Sequence, residues 1–186
     1  MRKVKRSDIV DYQTYNDQRD DFRASVLKDK ELRRIHLGDH LTFLFETTDT
    51  IRYQIQEMMR LEHIVREKDI QHEIDTYNDL LGGPGELGCS LLIEIDDPGL
   101  RDKYLKQWLG LPKHLYVKTQ DGRRVRASWD PAQVGTDRLS SVQYLKFELG
   151  RSTPIAVGVD HPKLNLESDL TAEQRDALSA DLQSNA

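Results

Sequence analysis

The run Gly82-Gly83-Pro84-Gly85 constrains the fold of this chain most, because neither glycine nor proline suits the interior of a helix. Before this run most apolar side chains recur at helical spacing, and after it they alternate with polar ones. The sequence therefore predicts a single domain with a mainly helical half (1–82), a mainly β half (83–162) and an acidic helical tail (163–186).

In the helical half we expect two helices, one strand and a helical hairpin. The first helix of the hairpin should be capped by Thr47, Thr48 or Asp49, and the second by Asp69. The other elements are a short helix capped by Ser7, a long helix from Asn16 or Asp17 to about Arg34, and a strand over 41–45.

In the β half the alternating pattern predicts a largely antiparallel sheet. Asp121-Gly122 is typical of a type I′ hairpin turn, and Thr171 with Gln174 forms a capping box for a short C-terminal helix. The predicted fold class is α+β, with N-terminal helices and a helical hairpin packed on the sheet. The expected strands are 87–95, 114–119, 123–129, 141–149 and 154–159, with a helix over 99–109.

Charge and apolar content narrow the classes of partner. The net charge is −5, which disfavours nucleic acid and anionic membranes as partners. No apolar run approaches the ~20 residues that a membrane span needs, so we expect a cytoplasmic protein. The single cysteine, Cys89, lies on the apolar face of a predicted strand, which indicates a buried, inert thiol with a raised pKa.

The hairpin places two acidic residues on or beside helix faces that should be buried. Glu62 falls within the apolar stripe of the first helix, and Glu73 lies beside the stripe of the second. A buried carboxylate costs several kcal/mol unless it is paired, hydrogen-bonded or metal-bound. The two stripes are Ile51, Ile55, Met58 and Val65, and Ile70, Ile74, Tyr77 and Leu81.

Two kinds of compensation fit these acids. One is iron or another divalent metal, although the Glu-x-x-His motif of di-iron bundle proteins is absent from the sequence. The other is hydrogen bonding or pairing with Arg60, Arg66 or an arginine of a strand. The candidate metal ligands are Glu62, His63, Asp69, His72 and Glu73.

A wider polar cluster surrounds the hairpin. Glu57 and Arg60 have the spacing of an ordinary surface ion pair, and with Tyr53 they could also bind a small anion. His161 follows a strand, and without an identifiable partner it is more typical of a turn. The candidate cluster is Tyr53, Glu57, Arg60, Glu62, Glu73 and Tyr77.

Several blocks of the sequence resemble an uncharacterised bacterial family of about this length. They are Tyr53-Gln54-Ile55-Gln56-Glu57-Met58 with Arg60 and Glu62, His72-Glu73, Tyr77-Asn78, Gly85-Glu86-Leu87, Ser141-Val142-Gln143-Tyr144-Leu145 and Gly158-Val159-Asp160-His161-Pro162. Members of that family are often encoded beside a rubrerythrin and an iron–sulfur oxidoreductase of the heterodisulfide-reductase type. The resemblance implies a link to peroxide handling or electron transfer and assigns no catalytic residue.

The leading functional hypothesis is an accessory protein of a bacterial redox or peroxide-stress system. It would bind a protein partner, such as an iron–sulfur protein or a rubrerythrin. The alternative is a small metal-binding protein or enzyme whose carboxylate and histidine site lies between the two hairpin helices. The sequence leaves open whether the protein is an enzyme.

Overall fold

The computed structural model describes residues 1–131 and 135–184. Its strands form two antiparallel four-stranded sheets, ordered β1-β2-β3-β6 and β5-β4-β7-β8. The predicted α+β class is confirmed, with two sheets where one was expected. The helices are α1 (Tyr12–Glu31), α2 (Thr48–Glu62), α3 (Glu67–Asn78), α4 (Pro98–Gln107) and α5 (Ala172–Ser184). The strands are β1 (Arg34–Leu37), β2 (Leu41–Phe45), β3 (Glu86–Ile93), β4 (Leu115–Thr119), β5 (Arg124–Arg126), β6 (Val142–Glu148), β7 (Pro154–His161) and β8 (Leu164–Asp169).

The main hydrophobic core joins the inner faces of both sheets. Phe43, Phe45 and Phe147 of the first sheet stack within about 6 Å of one another and are fully buried. Val117 and Val157 of the second sheet belong to the same buried cluster, and α4 and α5 close its sides. Period-two alternation thus places one face of each strand in the core, as the sequence predicted.

The helical half covers the outer face of the first sheet. A second, smaller apolar cluster holds it together, built from the N-terminal segment, α2 and α3. Gly88 of β3 lets the end of the hairpin pass directly over the strand, because a Cβ there would lie 1.9 Å from the carbonyl oxygen of Leu80. Every residue of β2 is consequently buried, those of its outer face included.

Several boundaries differ from the expectations. The long helix begins at Tyr12 because Asp11 accepts hydrogen bonds from the amides of Gln13 and Thr14, and it ends before Arg34 because that residue begins β1. The strands β1 and β8 were not predicted. Both are short edge strands, and the sequence of β8, Leu164–Asp169, has little apolar content.

Two local predictions were wrong. The second hairpin helix begins at Glu67 with Arg66 as its N-cap, so Asp69 lies in the first turn and does not cap it. In the hairpin of β4 and β5, Gly122 has a φ of 84° and Asp121 does not have a positive φ. A type I′ turn needs a positive φ at both residues, so the loop is of another type, closed by a hydrogen bond from the Gly122 amide to the Thr119 carbonyl. By contrast, the predicted caps Thr47 and Thr171, the latter with Gln174, are confirmed.

Candidate functional site

The two acids predicted inside the hairpin lie at its edge. Glu62 is the last residue of α2 and is exposed, and Glu73 is half-buried. His63 adopts the left-handed conformation with a φ of 51°, so the chain leaves the helix before another turn could cover Glu62. The prediction that Glu62 is buried is therefore wrong. The buried stripe of α2 runs through Ile51, Ile55 and Met59, whereas Met58 is half-buried and Val65 is 67% exposed.

The predicted metal ligands do not converge on one point. Burial raises the pKa of Glu73, and the negative charge of Glu62 raises it further. His63 is exposed, with its ring 5.4 Å from that of Tyr12. Among residues 1–131 and 135–184, no three His, Cys, Asp or Glu side chains are grouped to hold a metal, so Asp69 and His72 add no ligand set. Metal binding by Glu62 and Glu73 stays a prediction.

Glu57 has a different role from the surface ion pair that its spacing predicted. Its carboxylate accepts hydrogen bonds from the Tyr15 hydroxyl and the Arg19 Nε, both at 2.7 Å, and its contact with Arg60 is longer, at 3.3 Å. The side chain is only 12% exposed. Burial alone would raise the pKa of Glu57, but the hydrogen bonds from Arg19 and Tyr15 outweigh it and lower the pKa to about 2. Glu57 therefore ties α1 to α2.

A cavity of about 270 Å³ lies between the outer face of the first sheet and α1, α2 and α3. We call it the helix–sheet cavity. Two aromatic side chains, Tyr77 of α3 and Tyr144 of β6, stand at its mouth, where it adjoins a larger groove that they also line. Its charged and polar lining consists of Lys30, Arg34, Glu46, Thr50, Gln54 and Ser90.

Glu46 is the buried acid that this cavity contains. It follows β2 directly and is 9% exposed. Its two carboxylate oxygens each accept one hydrogen bond of 2.6 Å, from the hydroxyls of Thr50 and Ser90. No Lys, Arg or His nitrogen in the described part of the chain lies within 4 Å of this carboxylate. The side-chain hydrogen bonds to it come from the two hydroxyl groups.

Two cations line the same cavity. Lys30, at the end of α1, and Arg34, at the start of β1, are both half-buried. Neither is ion-paired with a carboxylate of residues 1–131 or 135–184, although Lys30 Nζ lies 5.1 Å from the ring centroid of Tyr53. Burial lowers the pKa of Lys30, an effect that the charge of Glu46 opposes and that of Arg34 reinforces.

The tyrosines at the mouth complete the lining. Burial raises the pKa of Tyr144, and Tyr77 and Glu46 add to the effect, so the phenol stays protonated at neutral pH and can donate a hydrogen bond. Tyr144 is also 39% exposed, so one edge of its ring remains open to solvent. Of the predicted cluster, Tyr77 lies at this cavity, Tyr53 lies beside it, and Glu57, Arg60, Glu62 and Glu73 lie elsewhere.

Comparison with known proteins gives the family. The profile of a protein family of unknown function, DUF3501, matches residues 3–182. The chain belongs to the DUF3501 family. It is similar to a novel protein of unknown function from Burkholderia pseudomallei K96243, whose crystal structure at 1.90 Å shares 28% identity and a TM-score of 0.89 over 97% of this chain and all of that one. Among curated proteins, none matches this chain.

Two further residues that the sequence singled out, His161 and Cys89, are buried in this DUF3501 protein. His161 is 7% exposed, its Nδ1 accepts a hydrogen bond from the amide of Lys163, and its ring also bonds the backbone of Leu109. Cys89 is 2% exposed, and burial raises its pKa well above the ordinary value, as predicted. Within the described ranges, no helix is long and apolar enough to cross a membrane.

The sequence did contain a signal for Glu46, although Glu46 was not among the predicted site residues. In β2 the inward residues are Leu41, Phe43 and Phe45, so the alternation places Glu46 on the other face, next to a polar Ser90 on β3. Lys30 and Arg34 had no such signal, because their approach to Glu46 depends on how α1 crosses the sheet.

Proposed function

We propose that this protein binds a small organic anion in the helix–sheet cavity. The observation that supports the proposal is that Lys30 and Arg34 line a half-enclosed cavity without carboxylate partners, next to a carboxylate solvated by hydroxyls. Charges that are partly removed from water are costly unless they are compensated. A bound anion would supply the compensation that the protein itself does not.

Charge balance favours a ligand with one negative charge. Two cations and one carboxylate leave a net charge of +1 in the cavity, and a monoanion would neutralise it. The guanidinium of Arg34 suits a carboxylate because it can donate two parallel hydrogen bonds. The free lone pairs of Glu46 and the amide of Gln54 would then orient the polar remainder of the ligand.

The size of the cavity limits the ligand further. About 270 Å³ is just below the range of about 300–1,000 Å³ for pockets that hold drug-sized molecules. The anion should therefore be smaller than a nucleotide. A longer ligand would have to pass Tyr77 and Tyr144 into the adjoining groove.

Thermal unfolding with a panel of small monocarboxylates tests this proposal. A ligand present at about 100 times its Kd stabilises the folded state by about 2.7 kcal/mol, which is measurable as a rise in Tm. We expect Arg34→Gln to abolish the rise. Arg23→Gln, which removes the same charge from an exposed position on α1, is the matched control and should retain it. Equal responses of both variants, or no rise with any anion of the panel, would contradict the proposal.

A second candidate is the accessory role in a redox or peroxide-stress system, with an iron–sulfur protein or a rubrerythrin as partner. The observation that favours a docking surface is the pair Leu61 and Val65, which are 61% and 67% exposed where α2 turns into α3. Large apolar side chains with this exposure are typical of contact surfaces when they cluster. Sedimentation of the protein with a purified rubrerythrin should show a complex that Leu61→Ser and Val65→Ser weaken. Unchanged binding by both variants would exclude this surface.

A further inference from the structure

Lys30 lines the cavity together with Arg34. It reaches the cavity from the last turn of α1, it is half-buried, and its ammonium group contacts the face of Tyr53 without an ion-pair partner in the described part of the chain. A bound anion accounts for the missing ion-pair partner of Lys30. A half-buried lysine amine in a ligand cavity also suits nucleophilic chemistry, because the pKa of a lysine shifts readily on burial.

We propose that Lys30 forms a reversible imine with a ligand carbonyl, and that the ligand is a small 2-oxo monocarboxylate. This inference rests on the proposed function and names its ligand class. Arg34 binds the carboxylate of the ligand, and the adjacent keto carbon then faces the amine of Lys30. The phenol of Tyr144 and the amide of Gln54 remain on the cavity wall to contact the rest of the ligand.

The reaction is a condensation without a redox step. The neutral amine of Lys30 attacks the keto carbon, and a new carbon–nitrogen bond forms as the carbonyl oxygen takes up a proton. The resulting carbinolamine then loses that oxygen as one molecule of water, and the carbon–nitrogen bond becomes double. Water reverses the sequence, so no co-reactant is needed.

The charges of the cavity fit the product as well as the ligand. A protonated imine carries one positive charge, and Glu46 provides a negative charge in the same cavity. Arg34 and the carboxylate of the ligand form the second pair of opposite charges. Each charge in the cavity therefore has a counterpart of opposite sign. A neutral aldehyde would leave one positive charge without a partner, and a dicarboxylate would add one negative charge too many.

The surroundings of Lys30 also favour the neutral form of its amine, which is the nucleophile. Burial lowers the pKa of its amine and Arg34 lowers it further, against the opposing charge of Glu46. A lowered pKa raises the fraction of the amine that is neutral at pH 7. An exposed lysine such as Lys28, on the same helix, lacks this burial.

Trapping with sodium cyanoborohydride and pyruvate tests the inference on the intact protein. The reagent reduces an imine to a stable secondary amine, which peptide mapping by mass spectrometry locates. We expect the adduct to form on Lys30 and not on Lys28. Lys30→Arg, which keeps the charge, should lose the adduct, whereas Lys28→Arg should leave it unchanged.

The thermal response to pyruvate, measured without reductant, separates the two proposals. A rise in Tm with no adduct on Lys30 overturns the imine and leaves anion binding in place. Adducts spread evenly over exposed lysines, with or without a rise in Tm, also overturn it. No rise in Tm with pyruvate or the other monocarboxylates, and no adduct, rejects both proposals. An adduct confined to Lys30 supports both.

Discussion

The two faces of the first sheet use neighbouring residues of the same strands in opposite ways. One line of paired residues, Phe45, Cys89 and Leu145, points into the main core and is fully buried among apolar side chains. The next line, Leu44, Ser90 and Tyr144, borders the helix–sheet cavity beside Glu46. A step of one residue along each strand therefore separates a dry core from a polar cavity.

This difference shows where the fold tolerates charge. The inner face is closed by a second sheet, which has a matching surface of β-branched and aliphatic side chains. The outer face is closed by helices, and α1 contributes only Tyr15 and Val26 as buried residues. Because the helical layer covers the sheet incompletely, a cavity with polar walls remains between them.

The largest expected effect is on the core side. Phe147→Ala removes a fully buried ring that packs on Phe43 and Phe45, and should lower the free energy of unfolding by about 3–5 kcal/mol. Tyr144→Ala, three residues earlier and 39% exposed, should cost about 1 kcal/mol. Urea unfolding of both variants measures the contrast. Similar losses would show that the two faces are equally well packed.

A smaller effect concerns the attachment of α1 to α2. The pKa of Glu57 is lowered to about 2 in the folded state from 4.5, so its contribution to stability is fully present above pH 4.5 and is lost as the pH falls toward 2. Across this window wild type should lose about 2–3 kcal/mol more than Glu57→Gln does.

Urea unfolding at pH 5, 4 and 3 checks this pH dependence. The matched control is Glu67→Gln, because Glu67 is 72% exposed in its pair with Arg6 and should not alter the pH profile measurably. An identical pH profile for wild type and Glu57→Gln would contradict the role of Glu57 as the anchor of α1.

The smallest effect compares adjacent residues of β3. Cys89→Ser places a hydroxyl in the apolar core and should cost about 2 kcal/mol. Ser90→Ala removes one of the two hydrogen bonds to the Glu46 carboxylate and should cost about 1.5 kcal/mol, because the bond from Thr50 remains. Thermal unfolding measures both values. A larger loss of stability for Ser90→Ala than for Cys89→Ser would mean that the remaining hydrogen bond from Thr50 does not compensate the Glu46 carboxylate.

Much of the fold could be predicted because it follows from local patterns. The strand Leu41–Phe45, the caps at Thr47 and Thr171 and the break after the hairpin are properties of a few neighbouring residues. The edge strands β1 and β8 were missed because they are only 4 and 6 residues long and contain two apolar side chains each, and pairing with neighbours stabilises them.

The candidate site was mislocated for a related reason. Helical periodicity correctly identified a hairpin and placed Glu62 on the face of Ile51 and Ile55, but Glu62 is the last residue of α2 and is exposed there. The left-handed residue His63 ends the helix before Glu62 can be covered. Such a position is usually a glycine, so nothing in the sequence indicated this turn.

The sequence by itself determined the α+β class, the inward face of the first sheet and the buried state of Cys89, because alternation and capping act over a few residues. Only the tertiary structure brought Lys30, Arg34 and Glu46 to one cavity. They lie on three different elements or their ends, and the approach of α1 to the sheet depends on packing between residues distant in sequence. Local propensity contains no information about how α1 packs on the sheet, so the site forms only when the helical layer and the sheet assemble.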